Sequence, residues 1–198
     1  TSALILSTII GVLIGILSAI KKYSLIDNFS MVFALIGISI PQFVFALLMA
    51  LIFGAILKWF PISGYITEGW NHLILPMVTL ALRPLAIIAR MTRSSMLDVM
   101  NQDYVRTAKA KGLSNAKVIF KHTLRNALNP VITTLSASLA ATLGGAFFIE
   151  YIFNWPGIGL LAVDSILKLD FPVIQGTVLF SAIIFVVINF IVDIIYAF

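Results

Sequence analysis

At 198 residues, the chain is 61% hydrophobic and 11% charged, with a mean hydropathy of +1.09, whereas a soluble domain carries about 25% charged residues. Its net charge is +5 and it has no cysteine, which excludes a disulfide framework and a thiolate metal site. Five apolar runs of roughly twenty residues leave too little polar sequence to cover them as buried core, so the fold class is all-α, a polytopic helical membrane protein with about five transmembrane helices.

The first run, Ala3–Ile20, carries Ser7, Gly11, Gly15 and Ala19, a small residue at every fourth position. That spacing lets helix backbones approach closely in lipid, with ordinary packing inside the chain as its expected use. The run does not read as a signal peptide, because its charge, Lys21-Lys22, follows it. The chain opens on Thr1 and closes on Phe198 inside an apolar run, so it reads as a piece of a longer polypeptide lacking an N-terminal helix. The second and third runs are Met31–Leu57 and Leu73–Ala89, and Pro41 and Pro84 are expected to bend or loosen them by removing a backbone donor. Arg83 lies ten residues past Leu73, about 15 Å in at 1.5 Å per residue, near mid-membrane. A cation there faces protein or a water-filled cavity. It either meets an anionic group on a translocated solute or bonds a carbonyl freed by Pro84.

A basic, polar island follows, with its loop at 90–126. Asp103 is the expected N-cap of a helix over Tyr104–Lys111, Gly112 its C′ residue, and Ser114 the cap of a second helix. Arg106, Lys109, Lys111, Lys117, Lys121 and Arg125 surround a modest apolar set, Tyr104, Ala108 and Leu113. A short helix with a small apolar knob and a charged rim suits insertion into a groove on another protein. A solvated helix against anionic lipid is the plain alternative.

The fourth run, Ala127–Ile149, repeats the small-residue device with Ser136, Ala140 and Gly144, and again with Ala137, Ala141 and Gly145. A translocation pathway or a subunit interface is set there beside simple packing. In the loop at 150–172, Asn154–Gly159 is dense in turn residues. Leu160, Val163 and Leu167 then share a helical face, with Asp164 and Lys168 as an i,i+4 pair. Glu150, Arg90 and Asp193 fall near interfaces and read as anchoring charges. Val173–Phe198 is the fifth run. Taking the basic island as cytoplasmic puts Lys21–Ser30 inside and the 58–72 and 150–172 loops outside, and the Lys and Arg distribution agrees with that orientation at every loop.

The island resembles the EAA loop of ABC-transporter permease subunits, whose pattern is Glu-Ala-Ala, three residues, then Gly. Ala108 and Gly112 match the last alanine and the glycine, while Arg106, Thr107 and Arg125 depart from the general pattern. Those departures are the ones made by the peptide and nickel branch. Its Asp-Tyr-Val-Arg-Thr-Ala-x-Ala-Lys-Gly-Leu and His-x-Leu-Arg-Asn-Ala-x-x-Pro are spelled by Asp103–Leu113 and His122–Pro130. Arg90, Thr92, Arg93, Ser94, Ser95 and Met96 resemble that branch's approach to the loop. Glu150, Trp155-Pro156-Gly157, Gly159 and Asp170–Gly176 resemble the outer loop of its B-type, dipeptide or oligopeptide, permease subunit.

The resemblance implies a multi-pass inner-membrane subunit forming half of a translocation pathway in a binding-protein-dependent importer. Its implied partners are a second, C-type permease subunit, two ATP-binding subunits and an extracytoplasmic solute-binding protein. Asp103, Tyr104, Arg106, Thr107, Ala108, Lys111, Gly112 and Leu113 would form the coupling loop; Arg83, Ser136, Ala140 and Gly144 are pathway candidates. Di- or oligopeptides are the first expected cargo, with nickel or a metal chelate second. The chain has no phosphate-binding Gly-x-x-x-x-Gly-Lys-Ser/Thr motif, so ATP and magnesium are expected on partner subunits, with no cofactor, metal or catalytic residue in this chain. His72 and His122 are far apart in sequence, and no acidic residue falls at mid-span, which argues against a secondary transporter. No nucleic-acid partner is needed to explain the charge.

Overall fold

The computed structural model describes residues 2–143 and 146–197. Regular structure among the described residues is helical. In chain order the helices are α1 (Ser2–Ile20), α2 (Leu25–Ser39), α3 (Gln42–Met49), α4 (Asn71–Met100), α5 (Asp103–Ala110), α6 (Asn115–Lys117), α7 (Leu124–Ala127), α8 (Asn129–Leu143), α9 (Phe147–Ile152), α10 (Ile158–Leu167) and α11 (Phe171–Ala197). Helix α3 continues as a π-helical segment, Ala50–Ile56, and a second π-helical segment, Val118–Thr123, joins α6 to α7.

Among the described residues three helices, α1, α4 and α11, are long and apolar enough to cross a membrane, and the pair Leu25–Ser39 with Gln42–Ile56 makes a fourth if counted as one broken span. The fourth apolar run of the sequence is divided between the 15-residue α8 and the six-residue α9. The two internal prolines behave differently. At Pro41 the second run is broken between α2 and α3. Pro41 has φ −57° and ψ 133°, an extended conformation that starts α3, and its ring pushes the residue before it out of the helical region. At Pro84 helix α4 runs on without a break.

The described residues fall into two compact units. The unit formed by Ile5–Ser39 and Arg83–Leu135 is built on close packing of α1 against the second half of α4. A Cβ on Gly15 would lie 2.5 Å from Thr92 Cβ and 2.7 Å from the Ala89 carbonyl oxygen, so only glycine allows this approach. Ser7, Gly11, Gly15 and Ala19 are all buried. The four-residue stripe of the first run is therefore intrachain packing. Toward the end of α1, Ile16 and Ala19 meet Met96 and Ala127 in a core that anchors the basic loop.

The second unit comprises Thr1–Leu4, Ile40–Leu82 and Ser136–Phe198. Its core is Ala46, Ala50, Leu75, Ile149 and Phe153, which packs α3 and its π-helical extension with α9 and the start of α4. Phe43 and Phe148 rings stand 5.9 Å apart, and Tyr65 meets Trp155 edge-on at 4.8 Å. Helix α11 is different: only 6% of its spanning window is buried, and Val178, Leu179, Phe180, Ile183, Val186 and Phe190 all face outward. Such an apolar surface suits hydrocarbon.

Candidate functional site

The basic loop is a short, well-terminated helix held on a small core. Its N-cap is Gln102, without a side-chain cap bond, rather than the expected Asp103. Asp103 sits one residue further in, at the first helical position, where the helix dipole still favours a carboxylate. It accepts a 3.5 Å bond from Arg106, but both side chains are largely exposed, so the pair adds little. At the other end Gly112 adopts φ +76°, with its N–H on the Lys109 carbonyl (3.0 Å) and the Leu113 N–H on that of Ala108 (3.4 Å). This is a Schellman closure, and the left-handed residue it needs is why glycine stands there. Ser114 then caps α6, its hydroxyl accepting the Lys117 N–H at 3.4 Å. Thr123 Oγ1 donates to the Val118 carbonyl at 3.2 Å, five residues back, stitching the π-helical turn.

The faces of α5 differ from the sequence expectation in one respect. Ala108 is not part of an exposed knob: with Val105 it is buried against Val118, and Val99 and Leu113 pack around them. The helical period puts 105 and 108 on one side, and the apolar surface offered by Val118 decides which side faces in. Tyr104, Thr107 and Lys111 form the outward line, with Arg106 and Gly112 beside it. The Tyr104 hydroxyl accepts a 2.7 Å bond from Asn126 Nδ2, tying α5 to α7. Arg106, Lys109, Lys111, Lys117, Lys121 and Arg125 are all exposed. The arrangement is a basic surface on a capped helix, with Tyr104 on α5 and Phe120 on the following π-helical segment as its exposed aromatic side chains.

The network that holds α1, α2 and α4 together has no counterpart in the sequence reading. Asp27 is fully buried near the start of α2. It accepts bonds from Ser18 Oγ (2.8 Å), the Tyr23 N–H (2.9 Å), Arg93 Nε (2.5 Å) and Arg93 Nη2 (2.7 Å). The guanidinium grips it in two-pronged fashion, the strongest form of ion-paired hydrogen bond. Tyr23, at φ 62°, turns the chain so that its amide points at the carboxylate. The available signal was a lone carboxylate two residues inside an apolar helix, which must find partners to be buried at all.

Glu150 likewise does more than anchor a helix end. Its carboxylate accepts the N–H groups of Ala146 (3.2 Å), Gly159 (2.7 Å) and Leu160 (3.2 Å), clasping the N-terminus of α10 to α9. A Cβ on Gly159 would come within 2.6 Å of Phe147 Cα, so the Trp155–Gly159 turn is shaped around this contact. On α10 the buried residues are Gly159, Ala162 and Ser165, a face of small residues. Leu167, expected on the apolar face, is exposed. Among the described residues Asp164 and Lys168 form no side-chain ion pair, their link being the Lys168 N–H on the Asp164 carbonyl.

The pathway candidates divide between the units. Arg83 is exposed and makes no hydrogen bond or ion pair among the described residues, so the backbone clamp beside Pro84 is not formed. Ser136 and Ala140 lie one turn apart on α8, and Gly144 lies outside the described residues. Hydroxyls along α8 turn back on their own helix, Thr133 on the Asn129 carbonyl, Thr134 on that of Pro130 and Thr142 on that of Ser138. Among the described residues no three His, Cys, Asp or Glu side chains gather as a metal site.

A family model described as "Binding-protein-dependent transport system inner membrane component" matches residues 11–198. The chain is 46% identical over 195 residues to the dipeptide transport system permease protein DppB of Bacillus subtilis (strain 168), covering 98% of this chain and 63% of that protein. It is 40% identical over 221 residues to the di/tripeptide transport system permease protein DppB of Pseudomonas aeruginosa (strain UCBPP-PA14), covering 98% and 66%. It is 41% identical over 196 residues to the glutathione transport system permease protein GsiC of Escherichia coli (strain K12), covering 99% and 63%. The chain thus spans just under two thirds of the length of these relatives.

Proposed function

Because the chain belongs to the family of inner membrane components of binding-protein-dependent transport systems, we propose that it is the permease subunit of an ABC importer that forms half of the passage for di- or oligopeptides. A second, C-type permease subunit supplies the other half, a solute-binding protein delivers cargo from outside, and two ATP-binding subunits drive the cycle. The exposed line Tyr104, Thr107 and Lys111 on α5 carries this reading, since a capped, core-backed helix with a basic rim transmits motion better than a loose loop. Hydrolysis of ATP belongs to the partner subunit. The relatives named above are called dipeptide, di/tripeptide and glutathione permeases, which favours peptide cargo over nickel.

The test is transport by the whole importer. Vesicles holding the full-length chain with its second permease subunit and ATP-binding subunits are expected to accumulate a labelled dipeptide when binding protein is present outside and ATP inside. Accumulation of nickel in place of dipeptide would decide for the runner-up cargo. Uptake that persists without the ATP-binding subunits, or follows an ion gradient, would place the chain among secondary transporters.

Orientation follows from the charge distribution. The basic loop is assigned to the cytoplasm and the 150–172 loop to the outside. Since the chain contains no cysteine, Ser114→Cys and Asp164→Cys each create a single thiol. A membrane-impermeant reagent is expected to reach position 164 in intact cells and position 114 only in inside-out vesicles. Labelling of both from one side would overturn the assignment.

A further inference from the structure

The outward face of α4 differs in chemistry from that of α11. From Arg83 onward, the exposed or half-exposed positions at helical spacing are Arg83, Ile87, Arg90 and Ser94. Steps of four, three and four residues keep these side chains within one narrow line along the helix. The opposite face, with Ile88, Ala89, Thr92 and Met96, is buried. Two guanidinium groups therefore stand two turns apart, about 10 Å along the axis, on an unburied side of a membrane-spanning helix. Neither makes a hydrogen bond or ion pair among the described residues. Arg83 lies near mid-membrane, where hydrocarbon is a poor neighbour and a charged side chain faces protein or water, and Arg90 continues its line toward the inner interface. The face that α11 leaves outward is apolar instead.

We propose that the Arg83–Arg90 line on α4 borders a water-filled passage and receives the carboxylate of the transported solute, making these two residues determinants of specificity for solutes with a free carboxylate. This inference rests on the permease reading. A guanidinium presents a planar fork of donors that matches a carboxylate in two-pronged fashion, which a lysine ammonium does not reproduce. Two forks spaced along one helix offer a carboxylate successive places to rest as it moves. Ser94 extends the polar line beyond Arg90.

Two measurements on the complete importer test the idea. In the first, Ile87→Cys and Ser94→Cys are compared with Val178→Cys and Phe185→Cys on α11, using a membrane-impermeant thiol reagent that enters only water-filled space. The α4 positions are expected to react and the α11 positions to stay protected. An unreactive thiol at 87 overturns the inference whatever transport shows, position 94 serving as the reactive reference because it lies in the 90–126 loop. In the second, uptake of a dipeptide and of its C-terminal amide is measured for the native importer, Arg83→Lys, Arg83→Gln and Arg90→Gln at matched membrane abundance. Loss of a charge-assisted hydrogen bond predicts a fall of about tenfold or more in dipeptide uptake for the Gln variants. Amide uptake is expected to change little, with Lys intermediate. Equal effects on both solutes, or none, overturn the carboxylate role. Failure of the native importer to take up any dipeptide instead overturns the peptide reading, while the thiol measurement still decides whether the line is hydrated.

Discussion

Asp27→Ala is expected to lower the stability of the protein by about 3–5 kcal/mol, the range for removing one partner of a buried ion pair. The change strips Arg93 of both its bonds while leaving its guanidinium only 21% exposed, and it also removes the acceptor of Ser18 and of the Tyr23 amide. Three chain segments lose their common fastening: the end of α1, the turn at Tyr23 and the second half of α4. Asp27→Asn keeps the shape and one acceptor oxygen but cannot neutralise Arg93, so an intermediate loss is expected. The paired change Asp27→Leu with Arg93→Met removes both charges, and replacing a buried pair by apolar groups is often neutral. It should recover much of what Asp27→Ala loses. Membrane abundance and thermal unfolding in detergent for these three variants and the native protein check the series. An Asp27→Ala protein as abundant and heat-resistant as the native one would show that the network does not fasten the helices.

The sequence carried the class of the protein because hydropathy alone dictates it: each apolar run, over its described residues, lies within a helix or contains one. It carried the end of α5 and the start of α6 because Gly112 and Ser114 act through local backbone chemistry, which leaves a mark at fixed positions; the start of α5, set by Gln102 rather than Asp103, was missed by one residue. The close approach at Gly15 was legible for the same reason, since a small residue every fourth position has one geometric use. What sequence did not carry is pairing over distance. Asp27 and Arg93 are separated by 66 residues, and nothing in either neighbourhood names the other. Glu150 looked like a helix-end charge because its three partners are backbone N–H groups, which every residue but proline possesses. Ala108 was placed with Tyr104 in the exposed knob for a related reason: both are apolar enough, and Val118, contributed by the next segment, is what draws Ala108 inward. Pro41 and Pro84 delete the same donor, yet one breaks its run and the other does not. The difference lies in what surrounds them, because α4 just past Pro84 is held straight against α1 through Gly11 and Gly15.

Thr107→Trp is expected to reduce transport on the order of tenfold or more while leaving the protein in the membrane. Thr107 lies between Tyr104 and Lys111 on the outward line of α5, and its hydroxyl bonds to the Asp103 carbonyl of its own helix. A large side chain there meets solvent in this subunit, and exposed substitutions usually shift stability by less than about 0.5 kcal/mol. If α5 docks in a groove on an ATP-binding subunit, as proposed, the same side chain blocks a central contact, which costs about 2 kcal/mol or more of docking energy. Ala108→Glu is a poor probe of docking, because it places a carboxylate among Val105, Val118 and Leu113 and disrupts the loop itself. Gly112→Pro gives an independent check. Proline cannot reach φ +76° and has no N–H for the Lys109 carbonyl, so the turn after α5 must reopen. Gly112→Ala keeps the N–H and meets nothing within 4 Å, so its cost is only the left-handed backbone, about 1–2 kcal/mol. The expected order of loss in both dipeptide uptake and cargo-stimulated ATP hydrolysis therefore puts Gly112→Pro and Thr107→Trp well below Gly112→Ala. Normal uptake and normal stimulation in Thr107→Trp and Gly112→Pro together would remove α5 from the coupling path, leaving its basic rim as a surface for anionic lipid.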